Sequence, residues 1–188
     1  PHKNDIAAIV RPFVFRKYLD YNAYEAMRGL HRQIRNEVGK KGMEDNIKLG
    51  AGGIREIEFI AQIFQMIRAG RLKPLQLKGT QETLRQLAVQ NIIPAHTADT
   101  LLEAYRFLRQ LEHRLQYWDD LQTQTLPQDG GQRQLLAESM GYTDYEAFSD
   151  GLNAHRAAVT AEFDNILSEP EEQPAARFAA LWPEPAEE

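Results

Sequence analysis

Apolar residues recur along most of this chain at intervals of three and four, the spacing that places side chains on one face of an α-helix. One stripe ends near Gly39, and the longest clean stripe covers residues 101–118. A last stripe, residues 145–166, follows Thr143 and Glu146 in the spacing of a helix capping box. These stripes predict three amphipathic helices, each with one face toward a shared core.

The segment after Gly53 has a different pattern, because its apolar residues leave little polar face. They are Ile54, Ile57, Phe59, Ile60, Ile63, Phe64, Met66 and Ile67. A helix that is apolar all round belongs in the middle of a bundle. Gly70 and Pro74 predict its C-terminal end, and a short helix capped by Thr80 is expected to stop before Pro94.

Together these elements predict an all-α fold, an antiparallel helical bundle of five or six helices over residues 1–167. Residues 128–131 separate the long stripe from a short helix around residues 135–140. Only residues 46–49 are candidates for a strand, pairing at an edge. Residues 168–188 are acidic and rich in Pro and Glu, which predicts a linker to a next domain.

Composition excludes several classes of protein. The formal net charge is −5, and the six glutamates and one arginine after residue 167 supply all of that excess, so the rest of the chain is about neutral. A neutral body argues against a nucleic-acid-binding face. The chain has no cysteine, which excludes disulfides and thiolate metal sites and suits a reducing cytoplasm. No run reaches the roughly 18 apolar residues of a membrane span.

The chain opens on Pro1, so we expect it to be an excised piece.

Residues 46–62 carry most of the functional information. Gly50, Gly52 and Gly53 stand directly before the apolar helix. Glycine suits a positive φ or a close backbone approach, and a Gly-rich turn at a helix N-terminus presents free N–H groups to an anion. The spacing matches neither G-x-G-x-x-G nor the phosphate-binding loop. Glycine spacing alone therefore favours a plain helix-initiating turn.

The identities of the residues around these glycines are more specific than the glycine spacing. Lys48-Leu-Gly-Ala-Gly-Gly-Ile-Arg-Glu-Ile-Glu-Phe-Ile-Ala-Gln resembles glutamine synthetase adenylyltransferase. Residues 11–20 and 105–116, the latter followed by 122–127, resemble further blocks of that family in the same order. Gly-Gly-Ile-Arg-Glu is closer to the N-terminal, adenylyl-removing half, because the C-terminal half and the related PII uridylyltransferase tend to carry Asp at the position of Glu56.

The resemblance implies that residues 1–167 are the helical domain that follows the N-terminal nucleotidyltransferase domain, with a fold like that of nucleotidyltransferase substrate-binding domains. It implies a cytoplasmic bifunctional enzyme that removes AMP from an adenylylated tyrosine of glutamine synthetase by phosphorolysis, releasing ADP. The other half attaches AMP from ATP, and PII protein and glutamine regulate both. The implied partners are glutamine synthetase, PII protein and the chain's own nucleotidyltransferase domain.

The catalytic motifs of that family, a Gly-Ser pair followed by Asp-x-Asp, do not occur in this chain. Nucleotidyl transfer needs two or three carboxylates that converge on Mg²⁺. We therefore expect Mg²⁺ and ATP or ADP to bind elsewhere in the parent enzyme, with no catalytic residue, metal site or cofactor in this chain alone. A rival hypothesis is a non-catalytic regulatory module that docks PII protein or glutamine synthetase and never touches nucleotide.

Other candidate ligands for a metal are more typical of structural or solvated positions. Asp119 and Asp120 are adjacent on a predicted helix, so their side chains point about 100° apart. The five histidines show neither His-x-x-x-His nor Glu-x-x-His spacing, which favours surface or hydrogen-bonded core positions over metal ligands.

Charged residues in the two longest blocks suit buried salt bridges, since an unpaired buried charge is very costly. On this hypothesis Arg55, Glu56 and Glu58 pair with charges of the later block, namely Arg109, Glu112 and Arg114.

A second hypothesis gives some of the same residues a binding role. Lys48, Arg55 and the amides of Gly52 and Gly53 would rim the active-site cleft of the neighbouring catalytic domain. We expect a division between the two hypotheses, with Lys48 at the cleft and Arg55 in the bundle.

Overall fold

A computed structural model describes residues 2–15, 21–40, 43–119 and 123–167. Over these residues the chain is helical, with one short 3₁₀ turn at Lys73–Leu75 and no strand beyond an isolated bridge between Asn46 and Thr125. The helices are α1 (His2–Val14), α2 (Tyr21–Lys40), α3 (Ile54–Arg68), α4 (Thr80–Val89), α5 (Ala95–Asp119), α6 (Gly130–Ser139) and α7 (Tyr145–Leu167). The predicted all-α bundle is confirmed. The predicted linker at 168–188 lies outside the described residues.

Helix α3 lies in the middle of the bundle, as its pattern predicts. It packs against α4, α5 and α7, and α5 also packs along α7. The α3 side chains that are fully or almost fully buried are Ile54, Ile57, Ile60, Ala61 and Ile63. Burying each large aliphatic side chain contributes about 1.5–3 kcal/mol. The apolar content of α3 is therefore a main source of the stability of this fold.

The sequence pattern misses α1, which raises the number of helices among the described residues to seven. Pro12 lies inside α1, where a proline removes one backbone hydrogen bond and normally argues against a helix. The side chains of Ile6, Ile9 and Phe13 on α1 are exposed. These three residues form an apolar face of α1 that does not contribute to the core.

Two predicted caps are displaced by one residue. The N-cap of α4 is Gly79, and Thr80 is the first residue of the helix. At α7 the carboxylate of Asp144 accepts from the Ala147 N–H at 2.8 Å, so Asp144 takes the place predicted for Thr143. That bond, with the hydroxyl of Thr143, lowers the pKa of Asp144. Both helices still begin within a residue of the predicted point.

The break predicted at 128–131 is shorter than expected. The carboxylate of Asp129 accepts from the Gln132 N–H at 2.9 Å and caps α6, which places the two glycines in its first turn. Gly70 follows the end of α3 as predicted. Among the described helices, none has the combination of length and apolar character that crossing a bilayer requires.

Candidate functional site

The segment from Asn46 to Gly53, called the glycine turn below, leads into α3 and is built from backbone hydrogen bonds. The Asn46 side-chain oxygen accepts from the N–H groups of Lys48 and Leu49 at 3.0 and 2.8 Å. Ile47 donates its N–H to the Gln124 carbonyl at 2.9 Å, beside the bridge to Thr125. Among the described residues, the edge pairing expected for residues 46–49 is therefore limited to this isolated bridge.

Two glycines of the turn are required by its shape. Gly52 has φ of +67°, and a Cβ there would collide with the backbone carbonyl of Arg156 on α7. A Cβ on Gly53 would lie 2.7 Å from the carbonyl oxygens of Gly50 and Lys48. The glycine turn therefore fits against α7 and against itself only without these side chains.

The amides of this turn have acceptors within the fold. Gly52 donates its N–H to the Glu56 carboxylate at 3.0 Å, and Gly53 donates to the Gly50 carbonyl at 3.0 Å. The next amide, of Arg55, donates to the Lys48 carbonyl at 3.1 Å. The expectation that Gly52 and Gly53 present free N–H groups to an anion does not hold in this arrangement.

Glu56 connects the glycine turn to α2. Its carboxylate is buried and accepts from Arg35 Nε at 2.6 Å in addition to the Gly52 amide. Arg35 Nη1 also donates to Asp164 on α7 at 2.8 Å, and its guanidinium lies 4.7 Å from the centre of the Phe163 ring. Burial alone would lower the pKa of Arg35, but the bonds to and charges of Glu56 and Asp164 outweigh burial and raise it. This charged arginine therefore ties α2 to α3 and α7.

Glu112 connects the same turn to α5. Only 3% of its side chain is exposed, and its carboxylate accepts from Lys48 Nζ at 3.4 Å and Gln124 Nε2 at 3.1 Å. Arg109, one turn earlier on α5, also forms an ion pair with Glu112. Glu112 is therefore in a buried salt bridge, as the hypothesis predicts, but its partners are Lys48 from the glycine turn and Arg109 from its own helix rather than Arg55.

The prediction that Arg55 packs in the bundle is wrong. Its side chain is exposed, and it has no ion pair or side-chain hydrogen bond within the described part of the chain. Adjacent helical positions point about 100° apart, so the first turn of α3 aims Glu56 inward and Arg55 outward. Glu58 accepts from the Tyr105 hydroxyl at 3.2 Å rather than from a cation. Arg114 is exposed on α5.

Arg156 on α7 is a residue of this site that sequence reasoning misses. Its Nε donates to the Ala51 carbonyl and its Nη1 to the Glu44 carbonyl, both at 2.8 Å. Burial lowers the pKa of Arg156, although nearby carboxylates oppose the shift. The guanidinium thus holds both sides of the glycine turn against α7. No local signal marks it, because Ala51 lies 105 residues away along the chain.

The chemistry available at this turn is attraction of an anionic group. Lys48, Arg55 and Arg109 are all at least partly exposed around it. Within the described ranges, no group of three or more His, Cys, Asp or Glu is placed to hold a metal ion. Asp119 is the last residue of α5, and Asp120 lies outside the described residues.

Fold and site together define a class: a helical domain whose central helix starts from a glycine-built turn bordered by cations. The family model described as GlnD PII-uridylyltransferase matches residues 24–167. The chain belongs to this family.

Relatives of the chain carry a consistent name. It is 72% identical over 173 residues to the bifunctional glutamine synthetase adenylyltransferase/adenylyl-removing enzyme of Neisseria meningitidis serogroup A, covering 92% of this chain and 19% of the relative. It is 54% identical over 184 residues to the enzyme of that name in Chromobacterium violaceum, covering 97% of this chain and 21% of the relative. The resemblance drawn from the three sequence blocks is confirmed. The chain spans about a fifth of the length of these relatives.

Proposed function

We propose that this chain is the helical domain beside the adenylyl-removing active site of a cytoplasmic enzyme that adenylylates and de-adenylylates glutamine synthetase. Relatives 72% and 54% identical across more than nine-tenths of the chain carry that activity in their name, which supports the proposal. In the parent enzyme, one half removes AMP by phosphorolysis and releases ADP, and the other attaches AMP from ATP. The neighbouring nucleotidyltransferase domain binds Mg²⁺ and nucleotide, and PII protein is a regulatory partner.

The observation that carries this proposal is the cationic edge of the glycine turn. Arg55 is exposed at the start of α3. Lys48 is partly exposed, and its backbone carbonyl accepts a hydrogen bond from the Arg55 N–H. Cations at this edge suit the phosphates of a nucleotide held by an adjoining domain. In the proposal, Gly52 and Gly53 contribute to the cleft rim by the shape they allow, and Lys48 and Arg55 contribute charge.

Arg55→Ala in the full-length parent enzyme tests this role. A lost charge contact to a phosphate is worth about 1.5–3 kcal/mol, so the rate of de-adenylylation should fall tenfold or more. The stability of the chain should change by less than about 0.5 kcal/mol, as expected for an exposed side chain. Arg114→Ala is the matched control, because it removes an exposed arginine with no ion pair among the described residues. Equal rates in the two variants and the wild type would refute the cleft-rim role of Arg55.

A second candidate function is docking of PII protein or glutamine synthetase without contact to nucleotide. The exposed apolar face of α1, with Ile6, Ile9 and Phe13, favours it, since such a face is typical of an interaction surface. Ile9→Asp combined with Phe13→Asp should then abolish binding of either protein to this chain. Loss of binding, together with a normal rate in Arg55→Ala, would favour docking over the cleft role.

A further inference from the structure

Two cations share one buried carboxylate beside the glycine turn. Glu112 is 3% exposed in its side chain, whereas Lys48 and Arg109, which both contact it, are 32% and 36% exposed. The carboxylate therefore lies beneath the two cations. Its single negative charge balances only one of their two positive charges, so an excess positive charge faces outward. Arg106, exposed and three residues before Arg109 on α5, adds to that charge.

Most hydrogen-bond donors of the pair remain available. An ammonium group has three N–H donors and a guanidinium has five. Lys48 and Arg109 each contact the Glu112 carboxylate and have no other side-chain acceptor among the described residues. Lys48 reaches Glu112 only at 3.4 Å, a long and weak contact. Glu112 thus holds the Arg109 guanidinium and keeps the Lys48 ammonium beside it, while their remaining N–H groups have no acceptor among the described residues.

We infer that Lys48 and Arg109 form a binding site for a phosphate group, with Glu112 as the residue that positions them. A guanidinium binds phosphate through two parallel hydrogen bonds, and a lysine adds a compact positive charge. The choice of phosphate over another oxyanion rests on the proposed function, in which inorganic phosphate and ADP are substrate and product. Arg109 and Glu112 extend the site beyond the glycine turn, onto α5.

Titration of the 188-residue chain with inorganic phosphate and, separately, with ADP tests this inference. Saturable shifts of the Lys48 and Arg109 resonances in NMR spectra are expected, and Arg109→Gln should weaken the apparent affinity about tenfold. Glu112 keeps Lys48 and Gln124 as partners in that variant, so the chain should remain folded, as a urea melt will show. Arg114→Gln makes the same change of charge on the same helix and should leave the affinity within about twofold.

The outcomes separate this inference from the proposed function. Binding of inorganic phosphate that Arg109→Gln weakens supports a site for the free ion, and binding of ADP alone with the same loss supports a nucleotide phosphate. No saturable shift with either ligand, or equal losses in Arg109→Gln and Arg114→Gln, would overturn the site. If the Arg55→Ala enzyme is slow but the chain binds no phosphate, the proposed function is supported and the phosphate site is refuted. If the chain binds phosphate but the Arg55→Ala enzyme has a normal rate, the phosphate site is supported and the cleft-rim role of Arg55 is refuted.

Discussion

Replacement of Gly52 by alanine changes the glycine turn by one methyl group. Gly52 has φ of +67°, in the left-handed region that side chains other than glycine disfavour. The new Cβ would also meet the backbone carbonyl of Arg156, which belongs to α7 and cannot rotate away like a side chain. The turn must therefore move relative to α7. That movement stretches the two bonds from the Arg156 guanidinium to the carbonyls of Ala51 and Glu44.

The expected cost has two parts. The left-handed conformation costs about 1–2 kcal/mol for an L-residue. Weakening of the Arg156 bonds adds about 1.5–3 kcal/mol, since hydrogen bonds to a charged group are worth that much. Alanine also lowers the conformational entropy of the unfolded chain, which offsets about 0.4–1 kcal/mol of this cost. We expect Gly52→Ala to lower the free energy of unfolding by about 3 kcal/mol.

Gly141→Ala is a matched control within the same chain. Gly141 has φ of +88°, but nothing lies within 4 Å of the position where its Cβ would be. It should show only the conformational cost, about 1 kcal/mol. Urea denaturation followed by circular dichroism measures both variants, and their difference reports the contact with Arg156. If Gly52→Ala were no less stable than Gly141→Ala, the inference that the turn is packed against α7 would be wrong.

Three further results are expected. Arg35→Ala removes the Nε donor from the buried Glu56 carboxylate, so urea melts should show a loss of about 2–3 kcal/mol in the free energy of unfolding. A loss no larger than that of the exposed control Arg32→Ala would contradict it. The pKa of Asp144 is lowered in the fold, so its contribution to stability is present above the unfolded pKa and is lost as the pH falls through the folded pKa. Asp144→Asn should flatten that acid part of the stability curve, and an unchanged pH dependence would refute the cap. The chain alone, supplied with Mg²⁺, ATP or phosphate, should neither adenylylate nor de-adenylylate glutamine synthetase in a radiolabel assay, and turnover by a clean preparation would contradict catalysis elsewhere in the parent.

The architecture follows from hydrophobic spacing because burial depends on which face of a helix is apolar. For that reason the pattern predicts helix α3 at the centre, and its aliphatic residues are buried there. The pattern does not predict helix α1, because Pro12 opposes a helix locally. The caps at Thr80 and Thr143 were misplaced by one residue, since Gly79 and Asp144 are equally capable of capping and only the backbone path decides between neighbours.

The site was predictable in its location and less so in its contacts. The orientation of Arg55 does have a sequence signal: Arg55, Gln62 and Met66 lie at intervals of seven and four, which puts them on one face, and all three are exposed. Glu56 points the other way on the same helix. The two bonds of Arg156, by contrast, join α7 to residues more than a hundred positions away. Contacts at such separation depend on how the helices pack, which no local pattern specifies.

The shared carboxylate of Glu56 has a thermodynamic consequence. The Gly52 amide and the Arg35 guanidinium bind different oxygens of one side chain. Whichever bond forms first restricts the rotamers of Glu56, and the second bond then forms without that loss of conformational entropy. Closure of the glycine turn and attachment of α2 therefore favour each other. Positive cooperativity of this kind means that a perturbation at either end, in α2 or in the turn, loosens both.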